Sequence, residues 1–155
     1  MSHEKAPTIP LRGRAEILDR LEITRARDLL LVDAPEAVGS LLAEGLAAEQ
    51  SLTPVEARAI RSVKSSFDWI LLWQESRIGS RAVFEAALRR LEPEGRLWVV
   101  TALKKVQGPR TSAAHRLEAA DLRKAFTKAG LANDREARLS AWHVGYRFTR
   151  GVSRS

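Results

Sequence analysis

Three continuous apolar runs constrain this 155-residue chain more than any other feature of its sequence. They lie at Leu29–Val32, within FDWILLWQ at 67–74, and within GRLWVVTAL at 95–103. Continuous runs of this kind are typical of strands that are buried on both faces, as in a parallel sheet. Segments with apolar residues at helical spacing lie between and after them, at 35–48, 80–91 and 118–129. The alternation predicts a doubly wound α/β fold, mostly parallel, with helices on both faces and right-handed crossovers.

Weaker signals complete the predicted order. Residues 14–22 read as a short amphipathic helix, and residues 48–52 as a weak strand. Thr53, Pro54 and Glu56 match an N-cap, a first helical position and a capping box, which predicts a helix to about Lys64. Two alternating runs around a break at 143–145 predict a C-terminal antiparallel hairpin. We expect one domain over residues 13–150, a disordered arm at 1–12 and a flexible tail at 151–155.

Composition excludes several classes of site. The chain has no cysteine, so it forms no disulfide scaffold, zinc-thiolate site, iron–sulfur cluster or cysteine nucleophile. Its histidines, at positions 3, 115 and 143, are too scattered for a helical metal motif, and we expect no metal. No apolar run approaches the roughly 18–20 residues of a membrane span. The first ten residues contain no apolar signal core, which favours a cytoplasmic location and no membrane partner.

Glycine spacing excludes the common phosphate-binding loops. No two of the nine glycines lie within five residues of each other. G-x-G-x-x-G, the P-loop and the hydrolase G-x-S-x-G elbow are therefore all absent. The turn that follows the first predicted strand instead reads Asp33, Ala34, Pro35 and Glu36, where an α/β fold usually binds its ligand. As an alternative, Asp33 caps the following helix and Glu36 complements its dipole.

A net charge of +7 makes anionic partners, including nucleic acid, plausible, although an arginine-rich genome produces the same excess. The irregular stretch at 104–116 follows the strand at 95–103, and its basic side chains could contact a phosphate backbone. The alternative is a solvated surface loop. Trp142 could stack on a base or pack against the last helix. The candidate partner-binding residues are Lys104, Lys105, Arg110 and Arg116, with Trp142 and Arg147 as secondary candidates.

The element order, with FDWILL as a fourth strand and RAVFEAALRRLEPEGRLWVV as the next helix and strand, resembles the class I S-adenosylmethionine-dependent methyltransferases. This resemblance implies a reduced Rossmann-like fold with a cofactor beside residues 33–36. Pro35 removes a backbone N–H from that turn, and no acidic residue clearly ends a second strand to hold ribose hydroxyls. We therefore expect a fold that has lost its cofactor.

A closer resemblance is to a family of short, uncharacterised bacterial proteins. It rests on LLLVDAPEAVGSLL, FDWILLW, LWVVTALKK and the closing W-x-x-G-Y-R-F, although Thr101-Ala102-Leu103 stands where the family often has Trp-Pro. We expect a non-catalytic binding or regulatory domain whose basic loop captures an anionic partner. The alternatives are a small methyltransferase with an atypical cofactor turn, and a structural subunit of a homo-oligomer or complex.

Overall fold

The computed structural model describes residues 13–103, 106 and 111–150. Within these residues the chain forms one six-stranded sheet of order β2-β1-β3-β4-β6-β5. The neighbours among β1 to β4 are parallel, whereas β6 runs antiparallel to both β4 and β5. The predicted fold class is thus confirmed. The strands are Asp28–Val32 (β1), Ser51–Val55 (β2), Phe67–Trp73 (β3), Leu91–Ala102 (β4), Leu131–Arg138 (β5) and His143–Arg150 (β6).

Helices cover both faces of the sheet, because β1, β3 and β4 carry apolar side chains on both. One face, which includes Leu31, Trp69 and Trp98, packs against the N-terminal helices. The other face, which includes Leu30 and Ile70, packs against the later ones. The helices are Arg14–Arg20 (α1), Glu36–Gly45 (α2), Ser80–Arg90 (α3) and Ala119–Thr127 (α4), with 3-10 turns at Ile23–Arg25, Ala57–Ser62 and Ala113–His115.

The helix predicted from Thr53 is wrong. Ser51–Val55 is a strand that pairs with β1, and a 3-10 helix at Ala57–Ser62 follows it. Pairing with an already buried neighbour outweighs a local capping signal. Pro54 is tolerated because β2 is the edge strand, where a missing N–H breaks no ladder bond.

The C-terminal hairpin forms as predicted, but its break lies earlier in the chain. β5 ends at Arg138 and β6 begins at His143, so the break covers residues 139–142. Ser140 fixes it, because the Ser140 hydroxyl oxygen accepts hydrogen bonds from the backbone N–H groups of Trp142 and His143 at 3.0 and 2.9 Å. This turn chemistry leaves no mark on the hydrophobic pattern from which the break was predicted.

Some predictions fall outside the described residues. These are the arm at 1–12, the tail at 151–155, and Lys104, Lys105 and Arg110. No helix in the described part of the chain is long and apolar enough to cross a lipid bilayer.

Candidate functional site at the carboxyl edge of the sheet

The carboxyl ends of β1, β2 and β3 meet where the strand order reverses, which is where open α/β sheets bind ligands. Asp33 follows β1 with a φ of 56°, a left-handed conformation that glycine adopts most easily. Its N–H donates to the Val55 carbonyl, and its carboxylate accepts from the Ala57 N–H, both at 2.9 Å. Asp33 therefore joins the ends of β1 and β2, and the expectation that it caps α2 is wrong.

The start of α2 is left open on the same edge. Pro35 is the N-cap residue, and no side chain caps the helix. The Pro35 carbonyl accepts from the N–H groups of Val38 and Gly39 at 3.0 and 3.1 Å. The first two helical N–H groups, of Glu36 and Ala37, precede those donors and form the positive end of the helix dipole. The proline thus removes one donor from the turn but leaves these two.

Sequence reasoning missed Glu56, which stands directly after β2. Because the weak strand was placed at 48–52, its end fell before this residue, and Glu56 was assigned to a capping box. The carboxylate lies 2.6 Å from Arg58 in an ion pair whose side chains are 65% and 85% exposed. Exposed pairs of this kind are weak, so Glu56 remains accessible to a ligand.

A cleft of about 430 Å³ opens between Asp33, the 3-10 helix and the loop after β3; we call it the edge cleft. Its walls include the apolar side chains of Ile60, Ile78 and Val83, together with the amide of Gln74. A second groove, of about 770 Å³, lies against the turn at Asp33–Glu36 and continues to Glu56. Both volumes lie in the range of small-molecule sites.

A polar pair lies at the same edge, where Glu75 follows β3 and His143 begins β6. His143 is 1% exposed, and its Nε2 lies 2.7 Å from Oε2 of Glu75. The imidazole also packs against Trp73, with ring centroids 4.7 Å apart. Burial alone would raise the pKa of Glu75, but the hydrogen bond and electrostatic attraction of His143, with hydrogen bonding from Thr111, bring that pKa below its ordinary 4.5.

The hydrogen bonds around His143 assign its proton. The Ser140 hydroxyl oxygen accepts from two backbone N–H groups, so its own proton is free to donate to Nδ1 of His143, 3.1 Å away. In the neutral ring this makes Nδ1 the acceptor and places the proton on Nε2, facing Glu75. The pair holds an ionised carboxylate at a fixed position beside the carboxyl edge.

The predicted partner-binding residues that the structure describes are mostly engaged elsewhere. Arg116 is 5% exposed and donates to the carbonyls of Leu103, Val106 and Thr111 at 2.6 to 2.7 Å, which holds the loop after β4. Arg147 binds Asp134 through two bonds of 2.9 and 3.1 Å, and also contacts Glu22. Trp142 is half-buried beside His143. Their binding of an anionic partner stays a prediction.

Several solved structures of methyltransferases resemble this chain. A SAM-dependent methyltransferase from Aquifex aeolicus aligns with a TM-score of 0.72 at 10% identity and covers 89% of both chains. A putative type 11 methyltransferase from Sulfolobus solfataricus aligns with a TM-score of 0.60 at 14% identity, over 94% of this chain and 95% of its own. The chain has the class I methyltransferase fold. No family model matches it, and no curated protein matches it in sequence. The resemblance to an uncharacterised bacterial family therefore stays a prediction.

The expectation of no cofactor is corrected by these structures. The N-methyltransferase NodS from Bradyrhizobium japonicum WM9, solved in complex with S-adenosylhomocysteine, aligns with a TM-score of 0.57 at 14% identity, over 88% of this chain and 84% of its own. The two sequence arguments against a cofactor are also weaker in the structure. The turn keeps a left-handed residue and an uncapped helix, and an acidic residue does end the second strand. No cluster of three or more metal-binding side chains occurs among the described residues.

Proposed function

We propose that this protein is an S-adenosylmethionine-dependent methyltransferase that binds its cofactor at the carboxyl edge of β1, β2 and β3. The proposal rests chiefly on Glu56, an accessible carboxylate directly after β2 and beside the left-handed turn at Asp33. In nucleotide-binding α/β sheets an acidic residue in this region accepts hydrogen bonds from ribose hydroxyls. This proposal replaces the non-catalytic hypothesis, which rested on the proline at position 35 and on the apparent lack of such an acidic residue.

The residues present suit each part of the cofactor. The carboxylate of Glu56 suits the ribose hydroxyls. The N–H groups of Glu36 and Ala37, at the uncapped end of α2, suit the carboxylate of the methionine portion. The apolar walls of the edge cleft, with Gln74 at its rim, suit a flat, hydrogen-bonding base.

The chemistry supplied by the bound cofactor is an electrophilic methyl group on a sulfonium. Glu75 is a half-buried carboxylate at this edge, two residues after β3 ends. His143 donates to it from Nε2 and keeps it oriented and ionised. A fixed negative charge there favours positively charged groups at the edge, as the sulfonium and a protonated amine are.

Calorimetric titration of the full chain with S-adenosylmethionine and with S-adenosylhomocysteine tests the proposal. We expect binding in the micromolar range. Glu56→Gln should weaken it at least tenfold, because a hydrogen bond to a charged group is worth about 1.5–3 kcal/mol and tenfold is about 1.4 kcal/mol.

Glu94→Gln is the matched control, since Glu94 is exposed and lies near the start of β4, at the opposite edge of the sheet. It should leave the affinity unchanged. Absence of binding at millimolar ligand, or equal effects of the two substitutions, would contradict the proposed site.

A further inference from the structure

A groove of about 530 Å³ separates α3 from α4 on the face of the sheet that they share. The two helices meet below it through Phe84 and Phe126, whose ring centroids are 4.8 Å apart. The floor of this interhelical groove is apolar. Phe84 and Leu117 are buried in it, while Leu88 and Ala125 are half-buried.

Cations border the groove on both sides. On the α4 side, Lys124 and the C-cap residue Lys128 lie four residues apart, which is about 6 Å along the helix. On the α3 side, Arg81 lies in the first turn, whereas Arg77 precedes the helix and donates to the Ala114 carbonyl. Lys124 and Lys128 therefore form a cationic row, and Arg77 and Arg81 add positive charge on the other side.

The acidic residues on the rim offset only part of this positive charge. Asp121 accepts the Glu118 backbone N–H at 2.9 Å, and Glu85 lies 3.5 Å from Arg81 in an exposed pair. Lys124 and Lys128 form no ion pair within the described part of the chain. With four cations and two acids, the groove keeps a net positive rim around an apolar floor.

We propose that the interhelical groove binds an acidic amphipathic helix of a partner protein. An apolar floor with a positively charged rim suits helix-in-groove recognition, and acidic residues four apart on the partner helix would match Lys124 and Lys128. The chain's own ends do not suit the groove. Residues 1–12 contain Glu4, Lys5 and Arg12, and residues 151–155 contain Arg154, so both segments are basic.

Single-stranded nucleic acid suits the groove less well. Such ligands stack their bases on exposed aromatic side chains, whereas Phe84, the aromatic residue of the floor, is only 5% exposed. The proposal is independent of methyl transfer, because the lining of the groove includes none of the residues assigned to the cofactor.

The test uses the full chain and a fluorescein-labelled 14-residue peptide with leucines at helical spacing and glutamates on both flanks. A peptide of the same composition with the leucines scattered is the ligand control. Lys124→Glu with Lys128→Glu should weaken binding of the amphipathic peptide about tenfold, since reversing two charges removes about 1.4 kcal/mol or more. Ala125→Trp, which fills the floor, should weaken it without any change in charge.

Lys64→Glu with Arg89→Glu is the matched control for net charge, because both side chains are exposed and neither lines the groove. Arg89 lies at the end of α3 as Lys128 does at the end of α4, so each double substitution places one glutamate unfavourably at the negative end of a helix dipole. Thermal unfolding checks that each variant folds. Three outcomes would overturn the proposal: equal weakening by the two double variants, equal binding of the scattered peptide, or tighter binding of a mixed-sequence RNA duplex that Lys124→Glu with Lys128→Glu abolishes.

Discussion

Replacing Glu75 tests the polar pair at the carboxyl edge most directly. The Nε2 proton of His143 donates to this carboxylate, and His143 is 1% exposed, whereas the Glu75 side chain is partly exposed. Glu75→Ala leaves that N–H buried without its partner. Glu75→Gln keeps an acceptor oxygen but removes the charge.

The expected losses differ between the two variants. An unsatisfied buried donor costs about 1–3 kcal/mol, and the lost bond was assisted by charge. We therefore expect Glu75→Ala to lower the free energy of unfolding by about 2–3 kcal/mol, which for a domain of this size lowers Tm by about 5–10 °C. Glu75→Gln should cost about 1 kcal/mol, because a neutral hydrogen bond is roughly half as strong.

The effect should depend on pH. The pKa of Glu75 is lowered in the folded protein, so its stabilising contribution is present above the ordinary value of 4.5. It is lost as pH falls through the lowered value. The gap in stability between wild type and Glu75→Gln should therefore be constant near neutral pH and shrink in acid.

Urea unfolding at a series of pH values measures these free energies, and nitrogen-15 NMR of the imidazole reports which ring nitrogen carries the proton. Glu85→Ala, at an exposed carboxyl on α3, is the control and should cost under about 0.5 kcal/mol. The reasoning is refuted if Glu75→Ala costs no more than this control, or if the His143 proton lies on Nδ1.

Three further substitutions test packing and ion pairing within the sheet. Trp98→Phe should lower the free energy of unfolding by about 1 kcal/mol, since the buried Trp98 indole N–H has no hydrogen-bond partner within the described residues. Trp69→Phe should lower it by about 1–2 kcal/mol more, because the Trp69 indole N–H donates to the Leu21 carbonyl at 3.0 Å. Urea unfolding compares the two variants, and equal losses would contradict this difference. Arg147→Ala should destabilise by about 2 kcal/mol at neutral pH, because it leaves Asp134 and Glu22 without their shared guanidinium. That loss should shrink in acid as Asp134 is protonated, because burial alone would raise the pKa of Asp134 but hydrogen bonds from Arg147 and Thr149 keep it low; thermal unfolding at pH 3 and pH 7 measures it, and a pH-independent loss would count against this pairing.

The spacing of apolar residues in the sequence predicted the strands and helices that are buried through their own apolar side chains. The apolar runs at 29–32 and 67–73 are strands because each residue faces one helix layer or the other, and that requirement is written in consecutive residues. The β2 segment is only partly buried, so its pattern was weak and the capping signal at Thr53 prevailed. The error moved Glu56 out of the predicted site.

The sequence by itself therefore determined the layers of the sheet, the direction of its strands and the classes of site that it excludes. Tertiary structure alone decided which polar groups meet. Asp33 reaches Ala57 across 24 residues, His143 reaches Glu75 across 68, and Arg147 reaches Glu22 across 125. Burial can be predicted from the local sequence pattern, because each residue must suit its own face of the sheet. Contacts between residues distant in sequence cannot be predicted in this way, because strand pairing brings together residues whose sequence neighbours carry no information about one another.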